Sequence, residues 1–214
     1  MSFVVDFVRH FVLHGVDVFV DEDHVYLTNK YVHKPRCRLI ENCEFILDNY
    51  ALSRGVSIKV DEYVSYINEL RMSKYWSLCR LIIAPDAIKN PVLTIKMHRK
   101  FIELISDEVL KKSACVIQEI RGSKLINFCR LMRDFGFENC AIPTRNVTAL
   151  RYLPEIVNLF SYVHVLGRNT IMFDVVIKFA NLINSIDFTI PNEVKQIYTL
   201  QPLHRENQFP TVQS

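Results

Sequence analysis

The chain has 214 residues, of which 50% are hydrophobic and 23% charged, and its formal net charge is +3. This composition is ordinary for a globular protein, so it argues against a disordered or fibrous chain, and the net charge alone does not indicate nucleic-acid binding. Only five glycines are present, which leaves almost no material for a Gly-rich phosphate-binding loop.

The location predicted from the sequence is soluble and intracellular, either cytoplasmic or nuclear. The first eighteen residues are apolar in tone, but Asp6, Arg9, His10 and His14 interrupt them, so we expect no secretory signal. No apolar run is long enough to span a bilayer, so we expect no membrane among the partners. The six cysteines are therefore interpreted as reduced thiols.

The positions of the glycines indicate where helices end. Each glycine follows a stretch with apolar residues at helical spacing, and the residue after a helix often needs the positive φ that glycine adopts without strain. We interpret all five as helix C-caps: Gly15, Gly55, Gly122, Gly136 and Gly167. This pattern predicts a predominantly α fold, α+β at the N-terminus, in the form of a compact helical domain with one N-terminal β-hairpin.

The front of the chain is predicted to combine helices with that hairpin. A helix is predicted over residues 4–14, where apolar residues recur at helical spacing. Alternating β-branched residues over 16–20 and 25–28, joined by four polar residues, predict the β-hairpin. Two further helices are predicted over 39–54 and 61–73.

The back of the chain is dense in helix signals. Asn90 can cap a helix whose first turn holds Pro91. A helical hairpin and several shorter helices are predicted to follow, over 107–120, 125–135, 147–153, 156–166, 170–186 and 191–200. We expect a single domain over 1–200, with one candidate subdivision near Asp86 between an α+β front and a helical back, and a polar tail over 201–214.

One group of side chains has the chemistry of a zinc site. Nitrogen and sulfur ligands suit tetrahedral zinc, and four of them occur within about twenty residues. They are His24, His33, Cys37 and Cys43. Their spacing matches no familiar zinc module, so the alternative is that they are unrelated core and surface residues. Zinc is the only cofactor that the sequence suggests.

Catalytic patterns are missing from the sequence. His10 and His14 are four residues apart but lack the glutamate of the His-Glu-x-x-His pattern. No serine lies in a Gly-x-Ser-x-Gly pattern, and Cys115 and Cys129 lie on apolar stripes, where a thiol is expected to be a small core residue with a raised pKa. We therefore predict no catalytic residue and no enzymatic activity.

The middle of the chain is its basic part, with ten lysines and arginines against four acids between Lys89 and Arg133. Cations on helical surfaces could contact phosphates or an acidic protein partner, although a solvated surface is the alternative. The candidate contacts are Lys96, Arg99, Lys100, Lys111, Lys112, Lys124, Arg130 and Arg133.

The leading hypothesis is a non-enzymatic regulatory or accessory protein that acts by protein–protein interaction. It depends on a composition that suits an ordinary hydrophobic core, on the absence of catalytic motifs from the sequence, and on the local basic surface. A nucleic-acid-binding protein that uses the basic residues is the first alternative, and a small structural zinc-site protein is the second. The low glycine and alanine content, with many Phe, Val, Ile and Asn, also suggests a viral origin, although no motif supports that origin. The sequence leaves the oligomeric state and the identity of the partner open.

Overall fold

A computed structural model describes residues 3–5, 8–13, 16–21, 25–27, 45–49, 59–73, 75–166 and 178–189 of the chain. Side chains are described over 45–49, 59–73, 75–166 and 178–187.

Strands occur along the whole described part of the chain. They are Phe3–Val5 (β1), Val8–Leu13 (β2), Val16–Asp21 (β3), Val25–Leu27 (β4), Phe45–Leu47 (β5), Cys79–Ile83 (β6), Ser113–Val116 (β7), Asn139–Pro143 (β8), Tyr162–Leu166 (β9) and Ser185–Thr189 (β10). The helices are Val60–Arg71 (α1), Pro91–Leu104 (α2), Asp107–Lys112 (α3), Ser123–Asp134 (α4), Val147–Arg151 (α5) and Leu153–Val157 (α6), with a 3-10 turn at Trp76–Leu78.

Eight of the described strands form one sheet in the order β2-β3-β10-β9-β8-β7-β6-β5. From β5 to β10 each strand runs parallel to the next one along the chain, and this six-stranded part is curled into a half-barrel. On the other side of β10, β3 pairs in parallel and β2 pairs antiparallel to β3. β1 and β4 form a separate antiparallel pair. The fold is of the α/β type.

The order of the strands decides where the helices lie. Crossovers between parallel neighbours are right-handed as a rule, and steps in one direction then put the described crossover helices on the same face of the sheet. The main core lies on that face and includes Leu47 and Ile82 from strands and Ile67, Phe101 and Leu125 from helices. The opposite face holds a smaller apolar cluster of strand residues: Ile46, Leu81, Ile83, Ala114, Val116 and Ala141. The central strands are thus buried on both faces.

The predicted fold class, a predominantly α domain with one N-terminal hairpin, is wrong. In the sequence, a strand that is buried on both faces is a short continuous run of apolar residues without alternation. Such a run can also be part of the apolar face of a helix. The predicted helix over 107–120 shows this error: α3 stops at Lys112, and Ser113–Val116 is a strand. The predicted helix over 156–166 likewise contains β9, and the end of the one over 170–186 enters β10.

The front of the chain differs from the prediction as well. Residues 4–14, predicted to be helical, overlap β1 and contain β2, and the predicted helix over 39–54 contains β5. The first strand of the predicted hairpin exists as β3, but it pairs with β2 and β10, while β4 pairs with β1. The predicted hairpin pairing is therefore wrong.

Three long helices are confirmed: α1, α2 and α4 lie where the apolar stripes predict them. Gly136 follows α4 with φ of +97°, as a C-cap glycine should, whereas Gly122, with φ of +61°, directly precedes α4 instead of ending a helix. The other three glycines, the predicted helix over 191–200 and the tail over 201–214 lie outside the described residues. The division into one domain and a tail stays a prediction.

The N-cap of α2 allows a direct test of the helix start. The Asn90 side-chain oxygen accepts the Leu93 backbone N–H at 3.0 Å, and Pro91 occupies the first turn. We expect Asn90→Ala to lower the free energy of unfolding by about 1 kcal/mol. Urea denaturation measures this loss, with Asn127→Ala on the exposed face of α4 as the control. Equal stability of the two variants would contradict the assignment of the cap.

Candidate functional site

The outward face of α2 combines apolar and basic side chains. Val92 is 64% exposed and Leu93 40% exposed. An open depression of about 550 Å³ lies along this face and is lined by Val92, Ile95, Lys96, Arg99, Lys100 and Glu103. The inward face of α2 is buried and carries Met97, His98 and Phe101. We call the six lining residues the α2 surface.

The cations of the α2 surface differ in how far their charge is neutralised. Lys100 pairs with Asp61 of α1, and this hydrogen bond lowers the pKa of the Asp61 carboxyl. The Arg99 guanidinium lies 5.6 Å from the centre of the Phe135 ring, a cation–π contact that positions it without cancelling its charge. Among the described residues, no carboxylate forms an ion pair with Lys96 or Arg99. These two charges are open to a partner.

The other predicted cations lie on two further helices. Lys124 and Arg130 are exposed on α4, which packs beside α2 through the contact between His98 and Met132. Arg133 is half-buried and donates to the Phe137 carbonyl oxygen at 2.8 Å.

Lys111 and Lys112 end α3 and line a different pocket, at the amino ends of the strands. The structure thus places five of the eight predicted contacts outside the α2 surface and does not bring all eight onto one face.

The predicted zinc ligands His24, His33, Cys37 and Cys43 lie outside the described residues. Within the described part, no three His, Cys, Asp or Glu side chains come together as a metal site. The zinc site therefore stays a prediction, which metal analysis of the purified protein would test: a metal-free, folded protein would contradict it.

Cysteines within the described part of the chain are core residues, as predicted for Cys115 and Cys129. Cys79, Cys115, Cys129 and Cys140 are buried and unbridged. Burial raises the pKa of the Cys79 and Cys129 thiols to about 12, and the pKa values of the other two are raised as well. Such thiols are neutral and unreactive at physiological pH.

A buried carboxylate joins three loops at the carboxyl ends of the parallel strands. Asp86 follows β6, and its two oxygens accept hydrogen bonds from the side-chain amides of Asn49 at 2.8 Å and Gln118 at 2.7 Å. Asn49 follows β5 and Gln118 follows β7, so the carboxylate bridges both neighbouring strands. Burial raises the pKa of Asp86, although Asn49, Gln118 and Arg145 favour its charged form. Sequence reasoning missed this group.

Asp86 lies at the carboxyl edge of the parallel sheet, where α/β enzymes hold their reacting groups. Both of its oxygens already accept amide donors, and the side chain is only 4% exposed. The next loop is tied in the same way, because the Asn146 amide donates to the Ile117 carbonyl oxygen at 3.0 Å. These hydrogen bonds connect the loops at the carboxyl ends of the strands to one another.

A second missed group lies on the sheet face away from the helices. His164 of β9 is fully buried, with Nδ1 2.8 Å from the Ser185 hydroxyl and Nε2 2.9 Å from an Asp187 carboxylate oxygen. Because a carboxylate only accepts, Nε2–H donates to Asp187, and Nδ1 forms its hydrogen bond with the Ser185 hydroxyl. These three residue types are those of a serine–histidine–aspartate catalytic triad, but Ser185 is fully buried. The group joins β9 to β10.

The signal that could have revealed His164 is the alternation within Tyr162–Leu166, where polar and apolar residues follow each other as in a strand.

A second buried histidine lies inside the helix layer. His98 of α2 is fully buried, its Nδ1 is 3.0 Å from the Met132 sulfur, and its ring centre is 5.2 Å from that of Phe137. No described residue forms a hydrogen bond with Nε2. Burial lowers the pKa of His98 to about 3, so the ring is neutral at physiological pH.

Among the described residues, none of the helices has the length and apolar character needed to cross a bilayer. Comparison with protein-family models and with curated proteins gave no match for this chain.

Proposed function

We propose that the protein is a non-enzymatic regulatory or accessory protein that binds an acidic segment of another protein at the α2 surface. The observation that carries this proposal is the combination of exposed Val92 with Lys96 and Arg99, whose charges no described carboxylate pairs. An amphipathic partner helix could cover the apolar residues while its carboxylates lie against the two cations.

The two kinds of contact would contribute differently. Covering Val92 and Ile95 removes apolar surface from water, at about 25 cal/mol per Å², and supplies much of the affinity. The rim cations mainly accelerate association and select for an acidic partner, because exposed ion pairs contribute little free energy and are screened by salt.

Fluorescence anisotropy with designed peptides tests the proposal. The probe is a labelled amphipathic peptide with leucines on one face and glutamates on the other, and its control carries glutamines in place of the glutamates. We expect the acidic peptide to bind, and Lys96→Glu/Arg99→Glu to weaken its binding about tenfold, a loss of about 1.4 kcal/mol. Both side chains are exposed, so the variant should fold.

The matched control makes the same change of charge on α4, as Lys124→Glu/Arg130→Glu. Equal loss of binding in both double variants would show that net charge alone matters, and would overturn the assignment to the α2 surface. So would a failure of the acidic peptide to bind at low salt.

Nucleic-acid binding is the alternative, and the packing of α4 beside α2 is the observation that favours it. Lys124 and Arg130 could extend the basic area of Lys96 and Arg99 along a phosphate backbone. Against this, Phe101 and Phe128 are buried and Arg99 covers the Phe135 ring, so none of these aromatics can stack on bases. A labelled oligonucleotide that competes with the peptide, with a steep salt dependence lost in both double variants, would favour the alternative.

A further inference from the structure

Glu103 supplies the carboxylate of the α2 surface, and no ion pair within the described part of the chain neutralises it. Two cations of the same helix are within reach of it by spacing, because Arg99 lies four residues earlier and Lys100 three. The Arg99 guanidinium lies instead over the Phe135 ring, and the Lys100 ammonium pairs with Asp61. Glu103 therefore keeps an uncompensated negative charge beside the two open cations of this surface.

The position of Glu103 within the helix is unfavourable for stability. It lies in the last turn of α2, which ends at Leu104 and holds no basic residue in that turn. The carbonyl groups at a helix C-terminus carry partial negative charge, so they repel a carboxylate and attract a cation. The Glu103 side chain is also exposed. An acid at this position therefore contributes nothing to helix stability or core packing, and it is suited to contact a partner.

The side chains of the α2 surface follow a fixed order along the helix axis. Val92 lies at the amino end, and Lys96 and Arg99 lie about 6 Å and 10 Å further along. Glu103 follows at about 16 Å from Val92. These four residues share one side of the helix, since intervals of four, seven and eleven residues are each close to whole turns. A helix that lies along this side meets an apolar, a basic and an acidic part in that order.

We propose, on the basis of the function proposed above, that Glu103 selects a partner helix whose acidic part is followed by a basic residue. The matching segment carries an apolar residue against Val92, acids against Lys96 and Arg99, and a lysine or arginine against Glu103. A partner that is acidic along its whole length places a carboxylate against Glu103, and the two like charges repel each other. The α2 surface thus distinguishes a partner of mixed charge from a uniformly acidic one.

Fluorescence anisotropy on the full chain at low salt tests this selectivity with two labelled helical peptides. Both carry a leucine and, four and seven residues after it, two glutamates. Eleven residues after the leucine, one peptide carries lysine and the other glutamate. Each is made in both sequence directions, because an antiparallel helix presents the same order of side chains only when its sequence is reversed.

We expect the lysine peptide to bind about fivefold more tightly than the glutamate peptide, compared in the direction that binds better. Glu103→Lys should reverse this preference, so that the glutamate peptide binds about fivefold more tightly. The variant should fold, because the side chain is exposed and a cation suits the last turn of a helix.

The matched control makes the same change of charge at Glu119, an exposed acid on the loop after β7, and Glu119→Lys should leave the preference unchanged. Equal affinity of the two peptides for the wild type would overturn this inference while the proposed function stands. Loss of the preference in Glu119→Lys as well as in Glu103→Lys would also overturn it, because net charge alone would then decide. If neither peptide binds, the proposed function fails, and this inference fails with it.

Discussion

Replacement of Asp86 by alanine is expected to lower the free energy of unfolding by about 3 kcal/mol. The change removes the acceptor of one amide hydrogen on each of Asn49 and Gln118, both only 3% exposed, while the other Asn49 amide hydrogen keeps the Ala84 carbonyl oxygen at 2.6 Å. A buried donor left without an acceptor costs about 1–3 kcal/mol, so two such donors outweigh the desolvation that the lost carboxylate no longer requires. Equilibrium urea denaturation measures the difference in stability.

Asp86→Asn is the matched variant. It keeps one oxygen as an acceptor, and the Gln118 amide can turn so that its oxygen accepts from the new amide group. We expect Asp86→Asn to lose less than half as much stability as Asp86→Ala. A stable Asp86→Ala variant, or an Asp86→Asn variant destabilised just as strongly, would show that the three loops are held by something else.

The pH dependence of this residue has a definite sign. Because burial raises the native pKa of Asp86 above the ordinary value of 3.8, the native state binds more protons than the unfolded state between those two values. The part of the stability that depends on protonation of Asp86 is therefore greatest below pH 3.8 and is lost as the pH rises through the native pKa. Asp86→Asn removes this dependence.

The helices that the sequence predicts correctly are those with one exposed and one buried face. In α4, Leu125, Phe128, Cys129 and Met132 form a buried stripe, and this period is visible without any structure. The strands lack such a signal, since β7 and β8 are buried at every residue. Their burial is a property of the parallel sheet, which forms only after distant segments meet.

The prediction was wrong partly because it interpreted every glycine as the end of a helix. The chain also ends helices by other means: the C-cap residues of α2 and α3 are Ile105 and Ser113, both with extended backbone and neither of them a glycine. The Ser113 hydroxyl donates to the Val109 carbonyl oxygen at 2.8 Å and so satisfies one of the last carbonyls of α3. A serine between a helix and an apolar run reads equally well as a helix start, so the sequence alone does not separate the two.

The candidate sites could be predicted only in part, for a similar reason. A count of charges identifies the basic middle of the chain. It does not predict that Lys96 and Arg99 are exposed whereas Lys112 donates to the Cys79 carbonyl oxygen. Asp86 and Gln118 follow strands, so recognition of the parallel strands would have placed both at one edge. The topology, more than the choice of residues, was the missing information.

Acidification is expected to destabilise the protein through His98, by about 1.4 kcal/mol for each pH unit below the unfolded-state pKa of about 6.5. Burial lowers the native pKa of this ring to about 3, so between these two values the unfolded state binds a proton that the native state rejects. The stabilising contribution is complete above pH 6.5 and is lost as the pH falls toward 3. From pH 7 to pH 4.5 the loss is about 3 kcal/mol.

The variant His98→Leu isolates this effect, because leucine has a similar volume and no proton to bind. The carboxylates, including Asp86 with its opposite sign, titrate in both proteins, so the difference between their pH profiles belongs to His98. We expect urea denaturation to show the wild type losing about 3 kcal/mol more than His98→Leu between pH 7 and pH 4.5. Parallel profiles would mean that the ring can be charged in the native state, and that the contact of its Nδ1 with the Met132 sulfur at 3.0 Å does not mark a closed apolar site.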